Sequence, residues 1–401
     1  MNYTQQEVIQ FIGEEDVKFI RLAFCDVFGK QKNISIMSDE IENAFEHGVA
    51  IDASAIAGFG GQVQSDLVLH PEPDTLCILP WRPEHGRVVR MFCHITYSDG
   101  KPFECDTRSI LKQAIRYAEE EGYSFQFGSE AEFYLFELDE AGEPTKTPYD
   151  NAGYMDIAPE DKGENVRREI CLTLEQMGIN PESSHHEEGP GQNEIDFKYS
   201  DPLTAADNVL TLQTIVKTVA HSNGLYADFS PKPIQDKPGN GFHIDISVTP
   251  DKNSQNLSFV IAGVLDKALD MTAFLNPSPA SYQRLGTGKA PKCVSWSSEN
   301  RSQLVRLPAA LKNGRRAQLR SPDCTLNPYL AYALMIYAGI DGIKNKTALP
   351  FVADFDIYTA TEKQLKRFQM LPNSLEQAKT IAAQSAFIKS IFPKKLLDSY
   401  C

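Results

Sequence analysis

The chain has 401 residues, 42% hydrophobic and 23% charged, which fits folded domains and excludes a disordered protein. At roughly 150 residues per domain the length gives about two or three domains. Lys and Arg number 39 against 54 Asp and Glu, and the net charge of −15 argues against nucleic acid or an anionic membrane as the main partner.

The first hundred residues read mostly as β-structure. Val17 to Phe24 and Gln31 to Ile36 predict strands around the turn Asp26-Val-Phe-Gly29, and Ser38 is the expected N-cap of a helix to His47. Further strands are expected at Leu67 to Leu69, Thr75 to Leu79 and Arg87 to Tyr97. The acidic start, Met1 to Asp16, has no basic head or apolar stretch, so an export signal is not expected. The eight cysteines include no C-x-x-C pair, which points to reduced thiols in a cytoplasmic protein and away from a cysteine zinc site. The hydrophilic turn Ser98-Asp-Gly-Lys101 separates an N-terminal domain, residues 14–100, from a second, residues 105–401.

Beyond Asp106 helices alternate with strands. Ile110, Leu111, Ala114, Ile115 and Ala118 share a helical face, with Gly122 able to end the helix. Helices are also predicted at Asn165 to Gly178, Ala206 to Asn223, Ser258 to Leu275, Pro328 to Lys344 and Leu375 to Ile391. The apolar run Tyr329 to Ile340 is 12 residues, short of the about 20 that span a membrane.

Three strands collect polar residues. Glu130 and Glu132 share one strand face, where two carboxylates repel unless a cation lies between them or water solvates both. Gly189-Pro-Gly191 predicts a hairpin that brings Glu187 toward Glu194, with Asp196 on the same face. In Gly241 to Val248 the apolar residues alternate with His243, Asp245 and Ser247. Oxygen-rich clusters of this kind suit Mg²⁺ or Mn²⁺. Arg284, Arg301, Arg306, Arg315, Arg316 and Arg320 form a basic cluster in an otherwise acidic chain. Carboxylates for cations beside arginines for anions suggest phosphoryl transfer from a metal-bound nucleotide.

Taken together these stretches resemble the prokaryotic type I glutamine synthetases over nearly the whole chain. The patterns are Val17 to Gly29, E-x-E-F at Glu130 to Phe133, H-H-E…G-Q-x-E at His185 to Glu194, N-P-x-x-x-S-Y-x-R-L at Asn276 to Leu285, W-S-x-x-N-R-S at Trp296 to Ser302, and R-S-x-D-x-x-x-N-P-Y-L-A at Arg320 to Ala331. The resemblance implies an α+β fold, a β-grasp domain followed by a catalytic domain with a curved antiparallel sheet backed by helices. It implies an ATP-dependent ligase that forms a γ-glutamyl amide through γ-glutamyl phosphate, working as a hexameric ring or a loosely paired dodecamer.

By position, Glu132, Glu187 and Glu194 would hold a first Mg²⁺ or Mn²⁺, and Glu130, His243 and Gln318 a weaker second. Arg306 and Arg316 would meet the ATP phosphates, Glu182 and Ser247 the nucleotide, Arg284, Arg320 and Gly239 glutamate, and Arg301 the transferring phosphoryl group. Asp52 matches an aspartate supplied by a neighbouring subunit to ammonium. Several positions depart from the family pattern. Gln318 replaces a glutamate, Lys289 replaces the flap glutamate over the ammonium site, and Pro238 replaces an asparagine that touches glutamate. Asp245 stands where His or Asn is usual, and Glu299 where the residue is usually not acidic. The extension that clasps two rings has no counterpart after Cys401, so ring pairing is expected to be weak. The alternative function is a catalytically weak homologue that binds nucleotide or glutamate and regulates a partner.

Overall fold

The computed structural model describes residues 3–59, 66–82, 85–251, 255–308 and 316–401. The chain is α+β. Its first sheet is built from β1 (Val17–Cys25), β2 (Gln31–Met37), β3 (Val49–Ile51), β4 (Leu67–Pro71), β5 (Cys77–Ile78) and β6 (Arg87–Tyr97). The strand order is β2-β1-β6-β4-β3 with β5 on β6, and only the β1–β6 pair is parallel. A helix that the sequence reading did not anticipate, Gln5–Glu14, precedes β1. Thr4 caps it through a reciprocal bond with Glu7, and it buries Val8 and Ile12. Ser38 opens a short 3-10 turn instead of capping a helix, and the α-helix proper is Ile41–His47.

The second sheet holds β7 (Ser124–Leu138), β8 (Pro144–Pro148), β9 (Pro181–His186), β10 (Gln192–Ser200), β11 (Leu225–Asp228), β12 (Phe242–Thr249), β13 (Trp296–Ser297), β14 (Val305–Arg306) and β15 (Ala317–Leu319). Its order is β13-β14-β15-β12-β7-β10-β9, with β8 and β11 also paired to β7. The sheet is mixed and not purely antiparallel, because the loop from Ser297 to Val305 returns β14 alongside β13 in the same direction.

Strand alternation divides β7 between two jobs. Phe125, Phe127, Ala131, Phe133 and Leu135 are buried in the core, and the ring of Phe127 stacks on Tyr332 at 4.4 Å. Tyr332 belongs to the helix Pro328–Lys344, whose Tyr329–Ile340 segment is the apolar run noted above. No helix among the described residues is long and apolar enough to cross a membrane. The even-numbered residues Gly128, Glu130 and Glu132 are left for the opposite face. The expected helix from Ser258 to Leu275 is two, Gln255–Asp266 and Ala268–Leu275. The one from Leu375 to Ile391 breaks at Ser385, whose hydroxyl caps the following helix by accepting from the Ile388 N–H.

The two sheets are joined through several buried contacts, among them the bond from Arg90 on β6 to Thr211 and the pairing of Arg108 with Glu72; a further one lies at the β1–β2 turn. Asn327 caps the helix Pro328–Lys344 with its side-chain oxygen and donates its amide to the carbonyls of Asp26 and Val27 in the β1–β2 turn. Tyr400 donates its hydroxyl to the same Val27 carbonyl at 2.8 Å. Gly29 packs so closely here that a β-carbon would lie 2.8 Å from the Leu326 carbonyl oxygen.

Candidate active site

The face of the second sheet turned away from the Phe127–Tyr332 core carries three rows of polar residues set by strand register. His185, Glu194 and Glu132 lie side by side on β9, β10 and β7. Ser183, Asp196, Glu130 and His243 form the next row on β9, β10, β7 and β12. Gly128, Asp245, Gln318 and Arg306 form the third on β7, β12, β15 and β14. Directly opposed antiparallel residues bring their β-carbons within about 5.5 Å, so each row is a line of contacts.

The first two rows, with Gln318 and Arg306 of the third, floor a cleft of about 1160 Å³, whose wall does not include Gly128 or Asp245. Arg284, Arg301, Arg306, Arg316 and Arg320 line it together with the carboxylates. Arg315 lies outside the described residues. Asp52, Glu182 and Ser247 are not among the lining residues. Asp52 is exposed on the N-terminal sheet, where it accepts from the Ser54 N–H and hydroxyl, so no part of its own chain brings it to the carboxylates. Glu182 is exposed near the β9 edge, though its charge reaches Arg316, and Ser247 lies one strand repeat beyond Asp245. Glu299 is also exposed and outside the cleft wall.

Three of the carboxylates, Glu187, Glu194 and Asp196, are crowded enough to resist ionisation. Burial, then the charge of Glu132, pushes Glu194 well above the ordinary range, and the same two causes raise Glu187 to about 7. Asp196 is raised to about 7 by burial and then by Glu130. Glu130 is the exception. Burial opposes its charge, but the hydrogen bond and charge of His243, followed by Arg320 and Gln318, prevail and hold it down at about 2. His243 Nδ1 lies 2.9 Å from Glu130. His185, Glu187 and Glu194 can direct ligand atoms within 4.8 Å of one another, as can Glu130, Glu194 and Asp196.

Two polar atoms on this face have no hydrogen-bond partner, His185 Nδ1 and Asp196 Oδ1. Orphaned acceptors beside carboxylates that resist ionisation are the donor set expected for a hard divalent cation. A third acidic group, Asp150, Asp161 and His186, lies behind the hairpin and is already satisfied. His186 bonds Asp150 and the Glu187 carbonyl, Arg167 pairs with Asp161, and Asp150 accepts from the Gly191 N–H. That network fixes the turn which presents Glu187.

Two loops complete the wall. Gly241 is buried where a β-carbon would stand 2.9 Å from both Arg284 Nη2 and His243 Nε2 and 3.2 Å from Glu132 Oε1. Its N–H donates to Glu132 at 2.8 Å. Gly239 is held as tightly, with 2.4 Å to the Pro231 carbonyl oxygen. Arg284 is buried and spends Nη1 and Nη2 on the carbonyls of Ser321 and Arg320. On the other side, Lys289 pairs with Glu188 and its ammonium lies 5.5 Å from the Tyr154 ring centre.

Gln318 departs from the role expected of it. Its amide N–H donates to Glu130 at 2.6 Å and its carbonyl oxygen accepts from Arg320 at 2.5 Å. The oxygen expected to reach a cation is therefore engaged by a guanidinium. The structure also brings in residues to which sequence reasoning gave no role. Gln192 donates to Glu132, the Gly239 carbonyl and Asn240, and Asn240 is buried on the carbonyls of Asp228 and Ser230. Neighbouring the glycine turns was their only signal. Asp196 was legible as sharing the Glu194 face, but nothing in the spacing showed that it lies against Glu130.

Comparison with known proteins gives the same picture. Residues 16–98 match the family described as "Glutamine synthetase, beta-Grasp domain", and residues 104–401 match "Glutamine synthetase, catalytic domain". A glutamine synthetase from Clostridium saccharobutylicum is 43% identical over 99% of this chain and 93% of the relative. One from Methanosarcina mazei is 42% identical over 99% and 92%. Among solved structures, a GmaS/ADP complex superposes with a TM-score of 0.88 at 25% identity, covering 100% of this chain and 94% of that one. With both domains matched and relatives aligned along nearly its full length, the chain belongs to the glutamine synthetase family.

Proposed function

We propose that the protein is an ATP-dependent ligase joining the γ-carboxylate of glutamate to ammonium or another small amine. The observation that carries this is one cleft in which the carboxylates Glu130, Glu132, Glu187, Glu194 and Asp196 lie together with five arginines. A γ-carboxylate oxygen attacks the γ-phosphorus and ADP departs. The amine nitrogen then attacks the acyl carbon, phosphate departs and the nitrogen gives up a proton.

Glu132, Glu187 and Glu194 would hold one Mg²⁺ or Mn²⁺, and Glu130 and His243 a second. Bound there, such cations neutralise phosphate oxygens and the charge growing on the transferred group. Arg306 and Arg316 take the phosphates, with Glu182 and Ser247 toward the nucleotide. Arg301 faces the transferred group. Arg284, Arg320 and the Gly239 loop position glutamate, and Lys289 borders the acceptor entrance. Asp52 is assigned to the site of an adjacent copy, where its carboxylate would receive the proton, so the active form is a homo-oligomer such as a hexameric ring. Free cysteines support a cytoplasmic location.

The test is phosphate release with ATP, Mn²⁺ or Mg²⁺, glutamate and a panel of small amines. Release that needs glutamate and one of the amines is the expected result. One observation favours a second reading, a nucleotide- and glutamate-binding regulator. Gln318 and Lys289 are both tied to neighbouring side chains of the site. ATP and glutamate binding with no phosphate release for any amine would select it.

A further inference from the structure

Where β10 pairs with β7, Phe197 stands opposite Ser129 and Ser200 opposite Phe127, so three steps along β10 match two along β7. The extra residue is a β-bulge, and it reverses which face the following side chains take. Simple alternation from Ile195 and Phe197 would send Tyr199 into the core. After the bulge it is Ser200 that lies level with core-facing Phe127, and Tyr199 joins Gly128 on the opposite face. The missing side chain of Gly128 makes room for the ring, since a β-carbon there would stand 3.2 Å from Tyr199 Cε2. Gly128 is in turn opposite Asp245 on β12.

Asp245 is 4% exposed, and one of its oxygens lies 3.4 Å from Arg316 Nη1. Burial, then the charge of Asp245, raises the Tyr199 hydroxyl, which therefore stays neutral beside Asp245 and Arg316. Asp245 is not part of the cleft wall, but Arg316 is, together with Arg301 and Arg306. These guanidiniums disfavour one another: burial and the charge of Arg301, with that of Arg316, lower Arg306. Burial opposes the charge of Arg316 as well, yet there Asp245 and then Tyr199 prevail and raise it. A long side chain, 33% exposed and repelled by its neighbours, would turn its head to water without such a hold. The Asp245 contact uses one of three guanidinium nitrogens and leaves donors for phosphate oxygens.

We propose that Asp245 is a positioning residue that holds Arg316 at the cleft wall and so sets the affinity for the nucleotide's phosphates. It touches no substrate atom itself. The bulge at Tyr199 and the glycine at position 128 shape the surroundings in which its charge faces Arg316. This gives a role to an aspartate that stands where His or Asn is usual, and it rests on the reading that assigns Arg316 to the phosphates.

The experiment is calorimetric binding of ADP and, separately, of adenosine to the full-length protein in the presence of Mg²⁺. Asp245→Asn keeps the shape and removes the charge. It should weaken ADP about fivefold or more and leave adenosine unchanged, because adenosine has no phosphate for Arg316 to hold. A merely structural loosening would move both. Arg316→Gln should weaken ADP at least as much, and adding Asp245→Asn to it should cost nothing further, since one residue acts through the other. Unchanged ADP binding in Asp245→Asn overturns the proposal, and so does tighter binding, which would make Asp245 a competitor of phosphate for the guanidinium. Additive losses in the double variant, or a parallel loss of adenosine, overturn it too. If Arg316→Gln itself leaves ADP unaffected, the placement of Arg316 at the phosphates has failed, and the proposal falls with it.

Discussion

Lys289 joins the two walls of the cleft mouth through Glu188, and this exposed pair is of the kind worth little to stability. Its effect falls on what enters. Two like charges about 4 Å apart repel by roughly 1 kcal/mol in water and by more in a closed site. Lys289→Glu should therefore lower the KM for ammonium about fivefold or more with little change in KM for ATP; steady-state kinetics with an unaltered ammonium KM would remove Lys289 from the acceptor site. Other single groups set the response to acid. Glu187 is raised from 4.5, and Asp196 and Asp245 from 3.8, each to about 7, so the folded protein binds more protons than the unfolded chain between those limits. For these groups stability is greatest below the unfolded values and declines as pH rises toward 7. The metal-free protein should lose melting temperature from about pH 5 to about pH 7.5, and Mn²⁺ should remove most of that loss by taking the place of the protons. A metal-free melting temperature that rises steadily through this range would refute the crowding of these carboxylates.

Between strands, register and glycine do most of the positioning. Gly241→Ala places a methyl carbon against His243, Arg284 and Glu132 at once, three side chains that cannot all withdraw. The expected outcome is activity lower by about a hundredfold or more, since small misplacements are costly in catalysis, with the thermal transition still cooperative. Near-normal turnover in that variant would mean the loop is not part of the glutamate site. Much of this arrangement was legible beforehand, because alternation alone put Glu130 with Glu132, Glu194 with Asp196, and His243 with Asp245. Strand order was not legible. β12 lies between β7 and β15, segments far apart in sequence, so nothing in the spacing paired Asp245 with Gln318. Breaks within long apolar helical patterns were missed for a local reason, since Ser385 closes one helix and caps the next while the periodicity runs through it. The helix Gln5–Glu14 buries only two residues fully, too faint a stripe to stand out within an acidic stretch.

For the molecule as a whole, the exposed position of Asp52 sets a condition on activity. If the site is completed by an adjacent copy, mixing an Asp52→Asn protein with one carrying Glu130→Gln, under conditions that exchange subunits, should restore some turnover to two inactive parents. Gel filtration with light scattering should find activity only in assembled species; full activity at 44.7 kDa would refute the shared site. The contact of Asn327 and Tyr400 with the Asp26–Gly29 turn then has a further consequence. In a closed ring every copy repeats the angle between its two domains, and any error in that angle is multiplied around the circle. If the chain closes into such a ring, this turn, pinned from two sides by buried hydrogen bonds, would serve together with the Arg90–Thr211 and Arg108–Glu72 contacts as a protractor for it. Loosening it with Tyr400→Phe should leave each chain folded yet broaden the distribution of assembled sizes, because a slightly wrong angle yields open arcs that never meet their own beginning.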